Sequence, residues 1–103
     1  MSANQTIFRL LETLGIPVVY GFHTERPDLP YLNLLGDGQY QFPADNTYYY
    51  THELFQLEYY FRKKDPATEQ RIEQLLLNNG YLYDKSEDIY LNDQGVFLIY
   101  YNF

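Results

Sequence analysis

The sequence predicts an α+β fold in which two helices pack on a mostly antiparallel sheet, in the order α-β-β-β-β-α-β-β with an extended hairpin arm. Three observations point there. Apolar residues recur at helical spacing in two places, Ile7-Leu10-Leu11-Leu14 and Ile72-Leu75-Leu76. Other runs, rich in Tyr, Phe, Leu and Val, are strand-like, and the clearest alternates with polar residues at the two-residue period of a strand. Clusters of Gly, Pro, Asn and Asp punctuate those runs. At 103 residues the chain fits one domain, 1–103, with a single core.

Residues 5 to 14 read as an amphipathic helix with Asn4 or Thr6 available as a cap; Gly15 can take the left-handed closing position, and Pro17 blocks resumption. Val18 to Phe22 is the first strand. The polar stretch His23 to Pro30 connects it to a second strand, Tyr31 to Leu35, after which Gly36-Asp37-Gly38 supplies a turn. Strand character resumes at Gln39 to Phe42, breaks at Pro43 to Asn46 and returns at Thr47 to Thr51, which makes a bent or bulged hairpin arm. Over residues 54 to 62, Phe55, Leu57, Tyr59 and Phe61 share one face, and that face should pack on a helix. Asp65 offers a carboxylate to the first amides of a helix spanning about 66 to 78, with Pro66 at its first position and Asn78-Asn79-Gly80 at its end. Residues 81 to 91 and 96 to 103 form a C-terminal hairpin across Asn92 to Gly95, and the run Val96 to Tyr101 is apolar on both faces.

Composition narrows the function. There is no cysteine, so neither disulfides nor Cys-based zinc sites are available. No apolar run approaches the roughly 20 residues of a membrane span, and the N-terminal residues lack the charged and apolar regions of a signal peptide; a soluble protein made in the cytoplasm is the expectation. A formal net charge of -7 leaves no cation surplus to release counterions from a phosphate backbone, which argues against nucleic-acid binding as the main role. The basic run Arg62-Lys63-Lys64 reads as a solvated strand end.

Motifs for catalysis are nearly absent. His23 and His52 fall in different segments without ligand spacing such as HExxH. Ser2 and Ser86 sit in no GxSxG frame, and Gly36-Asp37-Gly38 lacks the frame of a phosphate-binding loop. Asp84, Glu87, Asp88 and Asp93 lack calcium-loop spacing and read as a solvated hairpin. No metal or other cofactor is expected, and the chain reads as a non-enzyme. What stands out is aromatic surface. Seven of the nineteen residues from Asn46 to Lys64 are Tyr or Phe, and Tyr offers interface area and a hydroxyl at little entropy cost. Tyr59 and Phe61 read as core, whereas Tyr48, Tyr49, Tyr50, Tyr60, Tyr100 and Tyr101 cannot all point inward.

The order of a helix, Pro17-Val18-Val19-Tyr20-Gly21-Phe22, the segment Phe42-Pro43-Ala44-Asp45-Asn46-Thr47-Tyr48, a long strand, Lys63-Lys64-Asp65-Pro66 with Glu69, a helix and Tyr83-Asp84-Lys85-Ser86-Glu87 resembles a known family. These are the tail terminator or tail completion (head-tail joining) proteins of long-tailed phages and prophages of Gram-positive bacteria, and the resemblance runs from about Leu10 to Tyr101. It implies an α+β subunit that assembles with itself into a homo-oligomeric ring, a hexamer, closing the tail tube and docking it to the head connector. The expected neighbours are the tail tube and head connector proteins, with no membrane and no sequence-specific nucleic acid. The expected location is the host cytoplasm during assembly and then the tail-head junction of the virion. Phe42, Asp45, Asn46 and Tyr48 in the arm and Lys64, Asp65 and Pro66 at the helix start match the family's pattern, and for the last three a helix cap is a sufficient explanation.

The expected function is therefore structural, with Phe42, Asp45, Asn46, Tyr48, Tyr49, Tyr50, Tyr60 and Tyr100 as candidate subunit-interface residues. Ring closure repeats one heterologous interface, which needs sticky surface on two sides of the subunit. An acidic lumen would also not trap passing DNA. The alternative is an acidic protein-binding module, a nucleic-acid mimic inhibiting a basic partner through Glu53, Glu58, Asp84, Glu87, Asp88 and Asp93.

Overall fold

Alternation along residues 55–61 organises the molecule, because it hands one apolar face of a central strand to the helices. The computed structural model describes residues 3–21, 27–43, 49–91 and 95–103. In chain order these form α1 (Ala3–Glu12), β1 (Val18–Tyr20), β2 (Tyr31–Pro43), β3 (Tyr49–Phe61), α2 (Pro66–Asn78), β4 (Asp84–Lys85), β5 (Ile89–Leu91) and β6 (Val96–Asn102). The expected α+β class is what forms: two helices and a six-stranded sheet, ordered β1-β2-β3-β6-β4 with β5 also on β6. Only β1 and β2 run parallel; the other pairs are antiparallel.

The strand pieces expected separately at Tyr31 to Leu35 and Gln39 to Phe42 belong to one 13-residue strand; of the piece expected at Thr47 to Thr51, the described residues 49–51 run on into the next piece as β3, also 13 residues. Gly36-Asp37-Gly38 is accordingly not a turn. Gly36 pairs with Phe55 and Gln39 with Glu53, so Asp37 and Gly38 together face Leu54 alone. This is a β-bulge, and Gly38 at φ +88° takes the left-handed conformation it requires. The hairpin arm is thus the continuation of β2 and β3, paired as far as Pro43 and Tyr49.

Residues 81 to 91 do not form one strand. The Ser86 amide donates to the Tyr100 carbonyl, but the Tyr100 amide donates to the Ser86 hydroxyl at 2.9 Å. The Ser86 carbonyl is displaced from the ladder, and the register slips by one residue, from Lys85 opposite Tyr101 to Ile89 opposite Leu98.

Side chains at one parity of β2, β3 and β6 make the core face: Leu32 opposite Tyr59, Leu34 opposite Leu57, Leu57 opposite Tyr101 and Tyr59 opposite Ile99. Ile7, Leu11 and Leu14 of the first helical segment and Ile72 and Leu76 of α2 close over this face, and Phe103 completes it. Phe103 exchanges both backbone hydrogen bonds with Phe55 and packs its ring against Phe55 and Tyr81, 5.6 and 5.3 Å between centroids. The middle of α2 is tied to the end of the first helical segment by the Arg71 guanidinium, which donates to the Leu14 carbonyl.

Gly15, at φ +78°, stops the first helix as expected. The end of α2 is a Schellman motif: Tyr81 N–H donates to Leu76 O and Gly80 N–H to Leu77 O, with Gly80 at φ +83°. At its start the Asp65 carboxylate accepts from the Thr68 hydroxyl at 2.7 Å and also faces the Ala67 and Thr68 amides, while the Asp65 carbonyl takes the first helical bonds. That hydroxyl is the main cause holding the Asp65 carboxyl below its usual range.

Candidate functional site

Two polar constellations lie on opposite sides of the sheet. On the helix side Glu69, 4 % exposed, falls in the buried stripe of α2 three residues before Ile72. Lys64 Nζ lies 3.0 Å from its Oε1 and 2.8 Å from its Oε2, and Lys85 Nζ lies 2.8 Å from Oε1. Lys64 also bonds Asp88 at 3.0 Å and Lys85 bonds Glu73 at 2.8 Å, while Glu73 Oε2 accepts the Tyr101 hydroxyl at 2.8 Å. Burial opposes charge on both lysines, but the hydrogen bonds to Glu69 outweigh it and leave their ammonium groups above the usual pKa. Glu73 likewise is opposed by burial and held low by Lys85 and Tyr101. Arg62, Lys63 and Lys64 are exposed, as expected of a solvated end, and Lys64 in addition anchors α2 to the β4–β5 segment. Tyr101, one of six tyrosines that could not all point inward, is the one that is fully buried among those whose side chains are described, and burial followed by the Glu73 carboxylate pushes its hydroxyl far above the ordinary range.

The other face of the sheet has no helix on it among the described residues. Across it run Asn33 opposite Glu58, Glu58 opposite Tyr100, Tyr31 opposite Tyr60 and Tyr60 opposite Leu98. The Tyr31 and Tyr60 rings stack 4.8 Å apart at 20°. Asn33 donates its side-chain N–H to Glu58 Oε1 at 2.8 Å, Gln56 donates to Asn102 at 3.2 Å, and the Tyr60 hydroxyl hydrogen-bonds Glu58. Asn33 is 7 % exposed, and its Oδ1 finds no hydrogen-bond partner among the described residues. Burial first, then the Glu58 charge, raises the hydroxyl pKa of both Tyr60 and Tyr100. At pH 7 these groups are protonated donors beside a carboxylate, an arrangement suited to contact. Tyr60 and Tyr100, both expected at an interface, are half-buried on this one face.

Phe42, Tyr49 and Tyr50 of the expected set are described through their strand register, with Phe42 opposite Tyr50 and Pro43 opposite Tyr49. Asp45, Asn46 and Tyr48 lie outside the described residues. Sequence reasoning missed Asn33 and Glu69. For Glu69 a signal existed, a carboxylate at helical spacing inside an apolar stripe; for Asn33 the only signal was a polar residue within the apolar run Tyr31 to Leu35.

At one end of the sheet an open cleft of about 940 Å³ runs between residues 27–31 and the end of β3; Tyr31, Tyr60, Arg62, Lys63, Lys64 and Asp65 contribute to its walls. Among the described residues its lining holds no histidine or serine. Among the described residues no three His, Asp or Glu side chains could hold a metal ion together, and no helix is long and apolar enough to cross a membrane. Of the acidic strip, Asp84 and Glu87 are exposed and Asp88 is committed to Lys64. No protein-family model matches the chain, and no curated protein matches it significantly.

Proposed function

We propose that the chain is a structural assembly subunit, a tail terminator or head-tail joining protein of a long-tailed phage that closes into a hexameric ring over the tail tube. The observation that carries this reading is the asymmetry of the sheet: two helices on one face, and on the other, where no helix lies among the described residues, half-buried Tyr60, Glu58 and Tyr100 beside the buried Tyr31 and Leu98. Tyr-rich, partly apolar surface of this kind is what interface centres use. The subunit is also elongated. Its extents are 52 × 27 × 26 Å and its radius of gyration is 15.0 Å, against about 13 Å for a compact chain of about this length. The β2–β3 hairpin is a natural arm to lie against a neighbour, as ring closure by a heterologous contact requires.

The test combines two variants. Tyr48→Ala with Tyr50→Ala should weaken assembly while leaving the thermal unfolding of the monomer unchanged, and Tyr100→Ala on the sheet face should do the same. Intact rings from both, seen by negative stain at concentrations where the parent protein forms them, would refute the reading.

A further inference from the structure

We propose that Glu58, flanked by Tyr60 and Tyr100, receives Arg9 of a second copy of this chain, so that the helix layer of one subunit seats on the helix-free sheet face of the next. This contact rests on the assembly reading above and names its chemistry.

Glu58 is the starting point. It is half-buried, and its hydrogen bonds come from neutral groups, the Asn33 amide at 2.8 Å and the Tyr60 hydroxyl. Among the described residues it has no ion pair, in contrast to Glu69 and Glu73, which lysines hold at 2.8 Å. A half-buried carboxylate without an ion pair, set between two tyrosine rings, is complementary to a planar guanidinium, which can bond a carboxylate in bidentate fashion and stack on aromatic faces.

The chain supplies a suitable donor. Only arginine has the planar guanidinium this face fits, and of the arginines among the described residues Arg71 donates to the Leu14 carbonyl and Arg62 has contacts of its own. Arg9 is exposed on α1, and among the described residues it forms no ion pair, not even with Glu12 one turn on. It lies two positions from the buried Ile7, about 200° round the helix, and so on the outer surface of the helix layer. Arg9 and Glu58 therefore face opposite sides of one subunit. Their pairing is heterologous, so its repetition adds subunits head to tail, closing a ring where the rotation between neighbours closes, instead of stopping at a two-fold dimer.

A charge swap tests the contact, read by light scattering and sedimentation velocity on the full chain. Glu58→Arg and Arg9→Glu should each weaken association about 100-fold, and the double variant should recover most of it. Arg9→Glu sits on an exposed helix position and keeps the test valid if Glu58→Arg disturbs the sheet. If the parent chain assembles and both single variants assemble equally well, the contact is overturned and assembly uses another surface. Weakened single variants without recovery in the double also overturn the pairing. A parent chain that stays monomeric to millimolar concentration overturns the assembly reading itself.

Discussion

Replacing Glu69 with alanine should destabilise the fold by about 3 kcal/mol. The carboxylate side chain is 5 % exposed and accepts from two lysines, Lys64 and Lys85, at 2.8 to 3.0 Å. A hydrogen bond to a charged group contributes about 1.5 to 3 kcal/mol net. The low end applies to each, because the lysine side chains are 47 % and 33 % exposed and each keeps a second carboxylate, Asp88 or Glu73. Two such bonds give about 3 kcal/mol, a large share of a total that is typically about 5 to 15 kcal/mol. For a domain of this size that corresponds to a fall in Tm of about 12 to 24 °C. Urea and thermal unfolding followed by circular dichroism measure it, with Lys63→Ala as an exposed control expected within about 0.5 kcal/mol of the parent. A Glu69→Ala loss no larger than that of the control would show that the network is worth no more than surface pairs, and would refute the reasoning.

Tyrosine ionisation sets an alkaline limit. Burial pushes the Tyr59 hydroxyl up to about 12, and Tyr60 and Tyr101 shift further in the same direction. Their folded pKa values exceed the unfolded value of about 10, so their contribution to stability is complete below pH 10 and is lost as pH rises above it, by about 1.4 kcal/mol per pH unit for each group. Unfolding midpoints in urea should be insensitive to these groups up to pH 9 and fall steeply between pH 10 and 12; a flat profile to pH 12 would count against the burial. Gly80→Ala should cost about 1 to 2 kcal/mol, all of it from backbone strain, since Gly80 sits at φ +83° and an added Cβ meets nothing within 4 Å. Phe103→Ala should lower stability by about 3 kcal/mol, because the ring is 6 % exposed and packed on Phe55 and Tyr81; a neutral result in urea unfolding would remove Phe103 from the core.

Much of this architecture was legible because local chemistry and tertiary role agree. The Ile7-Leu11-Leu14 stripe, Pro66 at the start of α2, Gly80 at its end and the alternation from Phe55 to Phe61 all act in the structure as their spacing implies. Where long-range pairing decides, the sequence was ambiguous. Gly36-Asp37-Gly38 has the composition of both a turn and a bulge, and only its pairing opposite Phe55 and Glu53 selects the bulge. In β6 both faces are apolar, so nothing local distinguishes Tyr100 from Tyr101; their partners Glu58 and Leu57 put the first on the helix-free face and the second in the core. The surface around Glu58 was half-legible for the same reason. Its tyrosines stand out in composition, whereas Asn33 comes beside Glu58 only through the β2–β3 register. Glu69 needed Lys85, sixteen residues away, before its burial made sense.

The measurement that tests the central claim most directly is the solution mass of the unmodified chain by light scattering across a concentration series, with negative-stain images of the same samples. The account expects closed rings of one size, about six 12.4 kDa subunits, growing at the expense of monomer as concentration rises. A single 12.4 kDa species at every concentration would contradict it.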